Sequence, residues 1–372
     1  MSKRLNPYHI AIVNIPGLGA KGLRQLMEVC ESAEHLFGMS RPQLREIFPR
    51  HPAIVNAIEC KTTLRQAEQE IPRLEKYGIE TFFFTEDEYP QRLNRPGCED
   101  TPALLYRMGQ CNLNPHHAVA IVGSRKCTDY GRTVATRLIQ EMIADKPLII
   151  SGLAYGIDTA AHTAAVNNGL PTVAVLGHGL DTIYPSQNRA LAQHILEQGG
   201  ALVTEYPLGT EIQAAYFPAR NRIVAALADA TVVVESAERG GGLITANIAN
   251  SYHREVFAVP GRLDDPLSEG CNNLVVNNKA IILRNAGDLY FQMGWKNAMV
   301  KARHKEQQQE LFATLKNNEQ KIVHLLQEQR EMTMDEIDQC CDLSLPQIAA
   351  SLMEMELKGV VRCLPGRIYK LS

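Results

Sequence analysis

Short apolar runs recur along the middle of the chain, and each is followed by a segment whose apolar residues have helical spacing. The runs show no alternation with polar residues, which is typical of parallel strands buried on both faces. Because the intervening helices cover both faces of such a sheet, the pattern predicts an α/β domain with a doubly wound, mostly parallel sheet. The predicted strands are 118–122, 148–151, 172–176, 201–204, 231–235, 256–259 and 281–283. The predicted helices begin at Asp129, Ile157, Gln187, Phe217 or Pro218, and Leu243.

Residues 1–75 form short helical segments that Pro, Gly and Ser separate. Glycines at 17 and 19 lie between two apolar helices, which predicts a helical module of the helix-hairpin-helix (SAM-like) type. Backbone amides of such a hairpin, with Lys21 or Arg24, can hold a DNA phosphate. The alternative is a compact module that packs on another part of the chain. Strands predicted at 79–85 and 103–108 extend the sheet of a domain that spans 76–295.

The last part of the chain has a different composition. Residues 296–318 are rich in Lys, Arg, Gln and Asn and predict a linker. Residues 319–372 predict three helices and a terminal β-hairpin, the pattern of a winged helix. The third helix is poor in basic residues, with only Lys358 near its end, which favours a protein-interaction role over reading of the major groove.

Bulk composition narrows the class of protein. The 372 residues, 45% hydrophobic and 21% charged, fit a soluble protein of two or three domains. No apolar run reaches the length of a membrane span and the first residues lack a signal-peptide core, so we expect a cytoplasmic protein without a membrane partner. The net charge of -3 requires any nucleic-acid site to be a local positive patch. Nine scattered cysteines, including the adjacent Cys340 and Cys341, favour small packed side chains over metal ligands.

Glycines and small polar residues follow nearly every predicted strand, so backbone donors line one groove at the carboxyl ends of the strands. Cations in these segments can neutralise phosphates, and an asparagine can bond to sugar or base edges. For Arg220 and Arg222 the alternative is that one of them anchors a carboxylate such as Glu235 or Glu205. The predicted DNA-binding residues are Gly123, Ser124, Arg125, Lys126, Gly152, Arg189, Arg220, Asn221, Arg222, Gly240 and Gly241.

Aromatic residues near these segments offer either packing or stacking faces for bases; they are Tyr155, Tyr184 and Phe217. Signals for catalysis are weak. Asp158 and His162 are spaced i, i+4 on a predicted helix, which favours a buried Asp-His hydrogen bond over a metal site or an acid-base pair. Neither a nucleophile elbow nor a Walker Gly-Lys-Ser/Thr is present, so we expect a protein that is not an enzyme and needs no cofactor or metal.

Six motifs together closely resemble the bacterial DprA (Smf) family of DNA-processing proteins, with the densest match from 118 to 285. The motifs are Val122-Gly-Ser-Arg125, Ser151-Gly-Leu-Ala-Tyr-Gly-Ile-Asp-Thr-Ala-Ala-His162, Val175-Leu-Gly-His-Gly-Leu-Asp181, Phe217-Pro-Ala-Arg-Asn-Arg-Ile223, Gly242-Leu-Ile-Thr-Ala246 and Val256-Phe-Ala-Val-Pro-Gly261.

The resemblance implies an extended Rossmann-like fold that binds single-stranded DNA and forms a homodimer. It also implies a role in natural transformation, in which the protein protects incoming strands and loads RecA recombinase onto them. Carried over by position, the strand-binding pocket falls on Gly123, Ser124 and Arg125, with Asn221 and Arg222 close by. Two departures are Ser186, where many members have lysine, and the run Gly240-Gly241-Gly242, where Ser-Gly-Ser is usual.

The rival hypothesis is a nucleotide phosphoribohydrolase of the LOG type on a related fold. Its mark is a Pro-Gly-Gly-x-Gly-Thr loop with a catalytic glutamate close behind, whereas residues 243–252 of this chain contain no acid. A third hypothesis is an adaptor that works through contacts of the winged helix with other proteins, with DNA binding secondary.

Overall fold

The computed structural model describes residues 5–295, 316–329, 331–358, 360–364 and 367–371. The chain divides into two compact units, Met1–Trp295 and Lys296–Ser372. Residues 296–315 of the predicted linker lie outside the described residues. Along the described parts of the chain, no helix combines the length and the apolar character needed to cross a membrane.

The first unit begins with six helices. The first of these starts at a residue that suits a helix N-terminus, because the Asn6 side chain accepts a hydrogen bond from the Tyr8 amide and a proline follows it. The helices are α1 (Pro7–Val13), α2 (Ala20–Val29), α3 (Ala33–Gly38), α4 (Arg41–Ile47), α5 (Pro52–Glu59) and α6 (Thr62–Lys76).

These helices pack on the sheet that follows. Their apolar side chains, such as Leu23 and Leu36, share one core with sheet residues such as Leu104 and Leu202. Arg24 lies at this contact, where its guanidinium donates to Asn94 Oδ1 at 2.6 Å and to Thr101 Oγ1 at 3.1 Å. The alternative prediction of a module packed on the rest of the chain is therefore confirmed. Arg24 is held by protein groups, whereas Lys21 is exposed.

A nine-stranded sheet follows, in the order β1-β2-β6-β5-β4-β3-β7-β8-β9. Across the sheet, every neighbouring pair from β6 through β3 to β9 is parallel. At the other end, β2 pairs with β6 and β1 pairs with β2, both antiparallel. The predicted mostly parallel sheet is confirmed. The strands are β1 (Ile79–Phe83), β2 (Leu104–Gly109), β3 (Ala118–Gly123), β4 (Leu148–Ser151), β5 (Thr172–Val175), β6 (Ala201–Thr204), β7 (Ala230–Val234), β8 (Glu255–Ala258) and β9 (Ile281–Ile282).

Helices cover both faces of the sheet, as predicted for a doubly wound domain. One helix begins later than predicted, because Ser186–Asn188 form a 3₁₀ turn before it. The helices are α7 (Asp129–Glu141), α8 (Ile157–Asn167), α9 (Arg189–Glu197), α10 (Tyr216–Leu227), α11 (Gly241–Ser251), α12 (Glu269–Val276) and α13 (Ala286–Gln292).

The strand order reverses at β3. Strands β4 to β6 lie on one side of β3, and strands β7 to β9 lie on its other side. Connections that leave the carboxyl ends of β3 and β7 therefore diverge to opposite faces and leave a crevice between them. In open parallel sheets, ligands bind in this crevice.

In its described residues, the second unit contains three helices and a three-stranded sheet of order β10-β12-β11. Its helices match the predicted winged helix, while the first strand was missed because it is only three residues long. The elements are α14 (Asn317–Gln329), β10 (Glu331–Thr333), α15 (Met334–Cys340), α16 (Leu345–Leu357), β11 (Val361–Leu364) and β12 (Ile368–Leu371).

Candidate nucleic-acid interface

The loop from β3 to α7 lies at the reversal of strand order and is fixed by backbone contacts. The Ser124 amide donates to the Glu235 carbonyl at 2.8 Å, and the Ile157 amide donates to the Ser124 carbonyl at 3.1 Å. Gly123 passes so close to the end of β7 that a Cβ there would overlap the Val234 carbonyl. Gly156, with φ of +77°, leaves no room for a Cβ beside Ser124. The loop is therefore held rigidly before any ligand arrives.

Glu235 anchors the far end of the same loop. Its side chain is 3% exposed, and its carboxylate accepts hydrogen bonds from the Thr128 hydroxyl and, at 2.8 Å, from the Thr128 amide. Thr128 is the N-cap of α7, so this carboxylate fixes where the helix begins. Glu235 itself has a φ of 55°, a conformation that a residue without a Cβ adopts more easily. For this role the sequence shows no signal beyond the position of Glu235 at the end of a predicted strand.

A pocket of about 480 Å³ opens beside this loop, at the carboxyl ends of β3 and β7. Most of the predicted DNA-binding residues come together there, although they belong to three separate segments. The predicted residues in its wall are Gly123, Ser124, Arg125, Lys126, Arg220, Asn221, Gly240 and Gly241. The wall also contains residues that are not among the predicted DNA-binding residues, namely Val122, Ala154, Asp158, Ala237, Gly242, Thr245 and Leu267.

Arg220 is the buried cation of the pocket. Its side chain is 4% exposed and, within the described residues, makes no hydrogen bond and no ion pair within 4.0 Å. Burial lowers the pKa of its guanidinium, and the nearby Asp158 carboxylate opposes that shift. Because a buried charged group without a partner is costly, a guanidinium in this position is typical of a site that receives an anion.

Asp158 lies in the wall of the pocket but faces the backbone. Its carboxylate accepts from the Gly152 amide at 3.1 Å and from the Ala154 amide at 3.3 Å. Burial raises its pKa, while Arg220 and the two amides act in the opposite direction. Asp158 therefore stabilises the loop between β4 and α8 and supplies a distant countercharge to Arg220.

The rim of the pocket combines exposed cations with aromatic rings. Arg125 and Lys126 are both exposed. The Arg125 guanidinium carbon lies 5.7 Å from the centroid of the Phe217 ring, which in turn lies 5.5 Å from that of Tyr184. Such a rim offers positive charge for phosphates and ring faces for bases. Of the predicted aromatic residues, Tyr184 and Phe217 meet here.

Three predicted residues do not line this pocket. Gly152 lies behind Arg220, where a Cβ would overlap the guanidinium. Arg189 is exposed at the start of α9. Arg222 forms two hydrogen bonds of 2.6 Å with the Glu205 carboxylate and donates to the Asp100 carbonyl at 3.0 Å. The predicted anchoring of Glu205 by one arginine of the pair is thus confirmed for Arg222.

The predicted hydrogen bond between Asp158 and His162 is wrong. His162 points to the neighbouring strand, and its Nδ1 lies 2.8 Å from the Thr172 hydroxyl. Burial lowers the pKa of His162 to about 3, so the ring is neutral at physiological pH. Although the two side chains are one helical turn apart, the Asp158 carboxylate binds amides of the β4–α8 loop and the His162 ring binds a hydroxyl of the sheet. Within the described residues, no three His, Cys, Asp or Glu side chains are arranged to hold a metal ion.

Comparisons with known proteins identify the relatives of this chain. A family model described as DNA recombination-mediator protein A matches residues 80–294, and one described as the DprA winged helix domain matches residues 306–367. Protein Smf of Escherichia coli strain K12 is 36% identical over 283 residues, which cover 73% of this chain and 72% of that protein. DNA processing protein DprA of Streptococcus pneumoniae strain R6 is 40% identical over 202 residues, or 54% of this chain and 70% of that protein.

Two solved structures share the fold. The X-ray structure of DprA from Streptococcus pneumoniae has a TM-score of 0.67 and 32% identity, and the match covers 77% of this chain and 98% of that one. DprA from Helicobacter pylori, described for its single-stranded DNA binding mode, has a TM-score of 0.52 and 28% identity, with coverage of 58% and 95%. Matches to both domains, and to relatives over most of their length, show that this chain belongs to the DprA/Smf family.

Proposed function

We propose that this chain binds single-stranded DNA in the pocket between β3 and β7 without chemical conversion of the strand. During natural transformation it protects the incoming strand and loads RecA recombinase onto it. The observation that carries the proposal is Arg220, a buried guanidinium that lines the pocket and has no hydrogen-bonding partner in the described chain. A phosphate would supply the missing partner. The single-stranded DNA binding described for the Helicobacter pylori relative supports the choice of polymer.

The other pocket residues fit a DNA backbone. Gly240 caps α11 without a side chain, so the first amides of that helix face the pocket with the positive end of the helix dipole. Arg125 and Lys126 add exposed cations at the rim. Asn221 brings an amide that can donate and accept hydrogen bonds with a base or a sugar. A single strand, whose bases can turn toward Phe217, fits this crevice better than a rigid duplex.

Dimerisation through the sheet domain is part of the proposal. Exposed apolar side chains lie on the last three elements of the sheet unit: Val276 on α12 is 76% exposed, Ile282 on β9 is 45% exposed and Phe291 on α13 is 87% exposed. The short strand β9 pairs with β8 and, among the described strands, forms the edge of the sheet. A second copy that covers this edge would bury all three side chains.

The decisive experiment compares fluorescence anisotropy of oligo-dT and of a duplex of equal length, for the wild type and for Arg125→Ala, over a range of salt concentrations. We expect preferential binding of the single strand, affinity that falls with salt, and a weaker, less salt-dependent complex for the variant. Unchanged affinity in Arg125→Ala would contradict the assignment of the pocket. Loading of RecA is tested by the same binding reaction with and without RecA.

The phosphoribohydrolase and the adaptor remain as outcomes of two further assays. Release of free adenine from AMP by the purified protein would support the enzyme. Against the enzyme, the Asp158 carboxylate in the pocket wall faces the backbone, where two amides bind it. Deletion of the chain from residue 305 onward separates the roles of the two units. We expect this truncation to retain DNA binding and to lose a protein contact that the winged helix makes.

A further inference from the structure

A second cavity, of about 550 Å³, lies between α7 and α8. Its floor consists of small residues one helical turn apart, Gly156, Ala160 and Ala164. Its α7 wall carries Arg132, Thr136 and Gln140, which share one helix face. We call this cavity the α7–α8 groove. The family comparisons assign it no role, and of its lining residues Tyr155 is the one that the sequence offers as a packing or stacking face.

The groove has the chemistry of a site for nucleobases. Tyr155 lies at one end of it with its side chain 42% exposed, and its hydroxyl donates to Gln187 Oε1. Gln140 and Asn167 line the groove, and within the described residues their side-chain amides make no hydrogen bond. Amide side chains pair with donor and acceptor groups on base edges, and an exposed ring provides a stacking face. Few charges are present, so the lining suits bases better than a row of phosphates.

The groove adjoins the first pocket. Ala154 and Asp158 line the pocket, while Tyr155 and Thr159, the next residue in each case, line the groove. Between the two cavities, Gly156 lies against the backbone of Ser124 and Arg125. A single layer of backbone, which we call the ridge, therefore separates the two cavities. A strand that leaves the pocket past Arg125 needs to cross only this ridge to reach the groove.

A cation is available on the far side of the ridge. Arg132 lines the groove, and its guanidinium donates to Asp129 Oδ1 at 2.8 Å. Both side chains are exposed, at 54% and 97%, so this ion pair is weak and a phosphate can replace the carboxylate. Arg125 and Arg132 thus stand on either side of the crossing point as successive contacts for one backbone.

We infer that the α7–α8 groove is a second subsite for the same single strand, where Tyr155 stacks on a base and the amides of Gln140 and Asn167 bond to base edges. This inference rests on the proposed function, because the strand enters the groove from the pocket. A base that stacks there extends the footprint beyond the nucleotides that the pocket holds. The affinity for DNA then depends on oligonucleotide length through Tyr155.

The test uses the full chain and oligo-dT of two lengths, about 4 and about 16 nucleotides, the range of single-strand binding sites. We expect Tyr155→Ala to weaken binding of the longer oligonucleotide about fivefold or more, the usual effect of a lost stacking face, and the shorter one much less. Tyr155→Phe keeps the ring and is expected to retain the affinity. Tyr77→Ala, at a tyrosine of similar exposure (45%) on the helical module, is the matched control.

A second pair of variants tests the crossing point. Arg132→Gln is expected to reduce the salt dependence of binding to the longer oligonucleotide by about one phosphate contact. Arg137→Gln is the matched control, because Arg137 lies on the same helix, is also 54% exposed and also pairs with an acid, Glu141. It does not line the groove.

Two results would overturn the inference: an equal loss for both oligonucleotides in Tyr155→Ala, or no loss for the longer one. Either can occur while the wild type still binds DNA, and then the proposed function survives without the groove. If the wild type binds neither oligonucleotide, the proposed function fails and the inference fails with it. Equal salt dependence in Arg132→Gln and Arg137→Gln would remove Arg132 from the path.

Discussion

The guanidinium of Arg220 lies directly against the backbone of Gly152, in the space that any larger residue at 152 would fill with its Cβ. Gly152 directly follows β4, whereas Arg220 lies on α10, so the contact joins the loop after β4 to a helix far away in sequence. This arrangement sets the depth of the arginine in the pocket wall. It also explains why a glycine stands here without any contact of its own to the cavity.

Gly152→Ala is expected to force Arg220 out of its position. Overpacking of this kind costs about 1–3 kcal/mol of unfolding free energy. We also expect DNA affinity to fall about tenfold, because a misplaced guanidinium loses a charged hydrogen bond. Urea denaturation and oligo-dT anisotropy measure the two effects. Gly38→Ala, where a Cβ meets no atom within 4 Å, is the control and is expected to change neither.

Arg220→Gln and Arg222→Gln are expected to have opposite effects. Arg220 has no hydrogen-bonding partner in the described chain, so its loss leaves the free energy of unfolding unchanged or higher, while DNA affinity falls about tenfold or more. Arg222 holds Glu205 with two hydrogen bonds, so its loss destabilises the fold by about 2 kcal/mol.

Chemical denaturation and anisotropy of the same two proteins separate these roles. Arg220→Lys is a useful third variant, because it keeps the charge but not the planar fork, and we expect an intermediate affinity. A strongly destabilised Arg220→Gln would mean that the guanidinium has a structural partner. A loss of affinity in Arg222→Gln at full stability would place Arg222 at the DNA.

Stability is expected to decrease between pH 7 and pH 5 through His162. The pKa of this buried ring is about 3 in the folded chain and near 6.5 when exposed. Below pH 6.5 the unfolded chain therefore binds a proton that the folded chain does not. The free energy of unfolding decreases as the pH is lowered, until the folded chain also binds the proton near pH 3. Between pH 7 and pH 5 the effect of one histidine is about 2 kcal/mol. Urea denaturation of the wild type and His162→Gln at both pH values isolates it, since the variant should lose less; equal losses would refute it.

Phe291→Glu is expected to convert a dimer into a monomer. A charge at this 87% exposed position opposes burial against a second copy, with little effect on the fold of one chain. Sedimentation or light scattering gives the mass. Leu263→Glu is the control, because Leu263 is 96% exposed in the loop after β8 and is not part of the proposed interface. A wild-type monomer, or a variant that stays dimeric, would contradict the assigned surface.

The main lines of the fold could be predicted because local pattern determines them. A run such as Ala118–Gly123, apolar throughout, is compatible only with burial on both faces, and glycine with small polar residues marks where it ends. Short elements and the first residues of helices were harder to predict. The three-residue strand β10 carries too few residues for a pattern, and α9 begins late because a 3₁₀ turn precedes it.

Side-chain partners could not be predicted with the same success. Helical spacing suggested that Asp158 meets His162, but backbone amides of the β4–α8 loop bind the carboxylate and Thr172 binds the ring. Arg220 and Arg222 are two positions apart on α10, so they point in different directions. One reaches the pocket and the other reaches Glu205. Which arginine took which role depended on groups far away in sequence.

The sequence by itself determined the order of strands and helices along the chain, the class of sheet that they form and the kind of residue at each strand end. These follow from local periodicity and from the few ways that βα units pack into one sheet. Only the tertiary structure decided that Arg220 is buried without a partner, that Glu235 fixes the start of α7, and that a second groove lies behind Tyr155. Burial and hydrogen bonding are properties of neighbours in space, and those neighbours come from segments that the chain brings together only on folding.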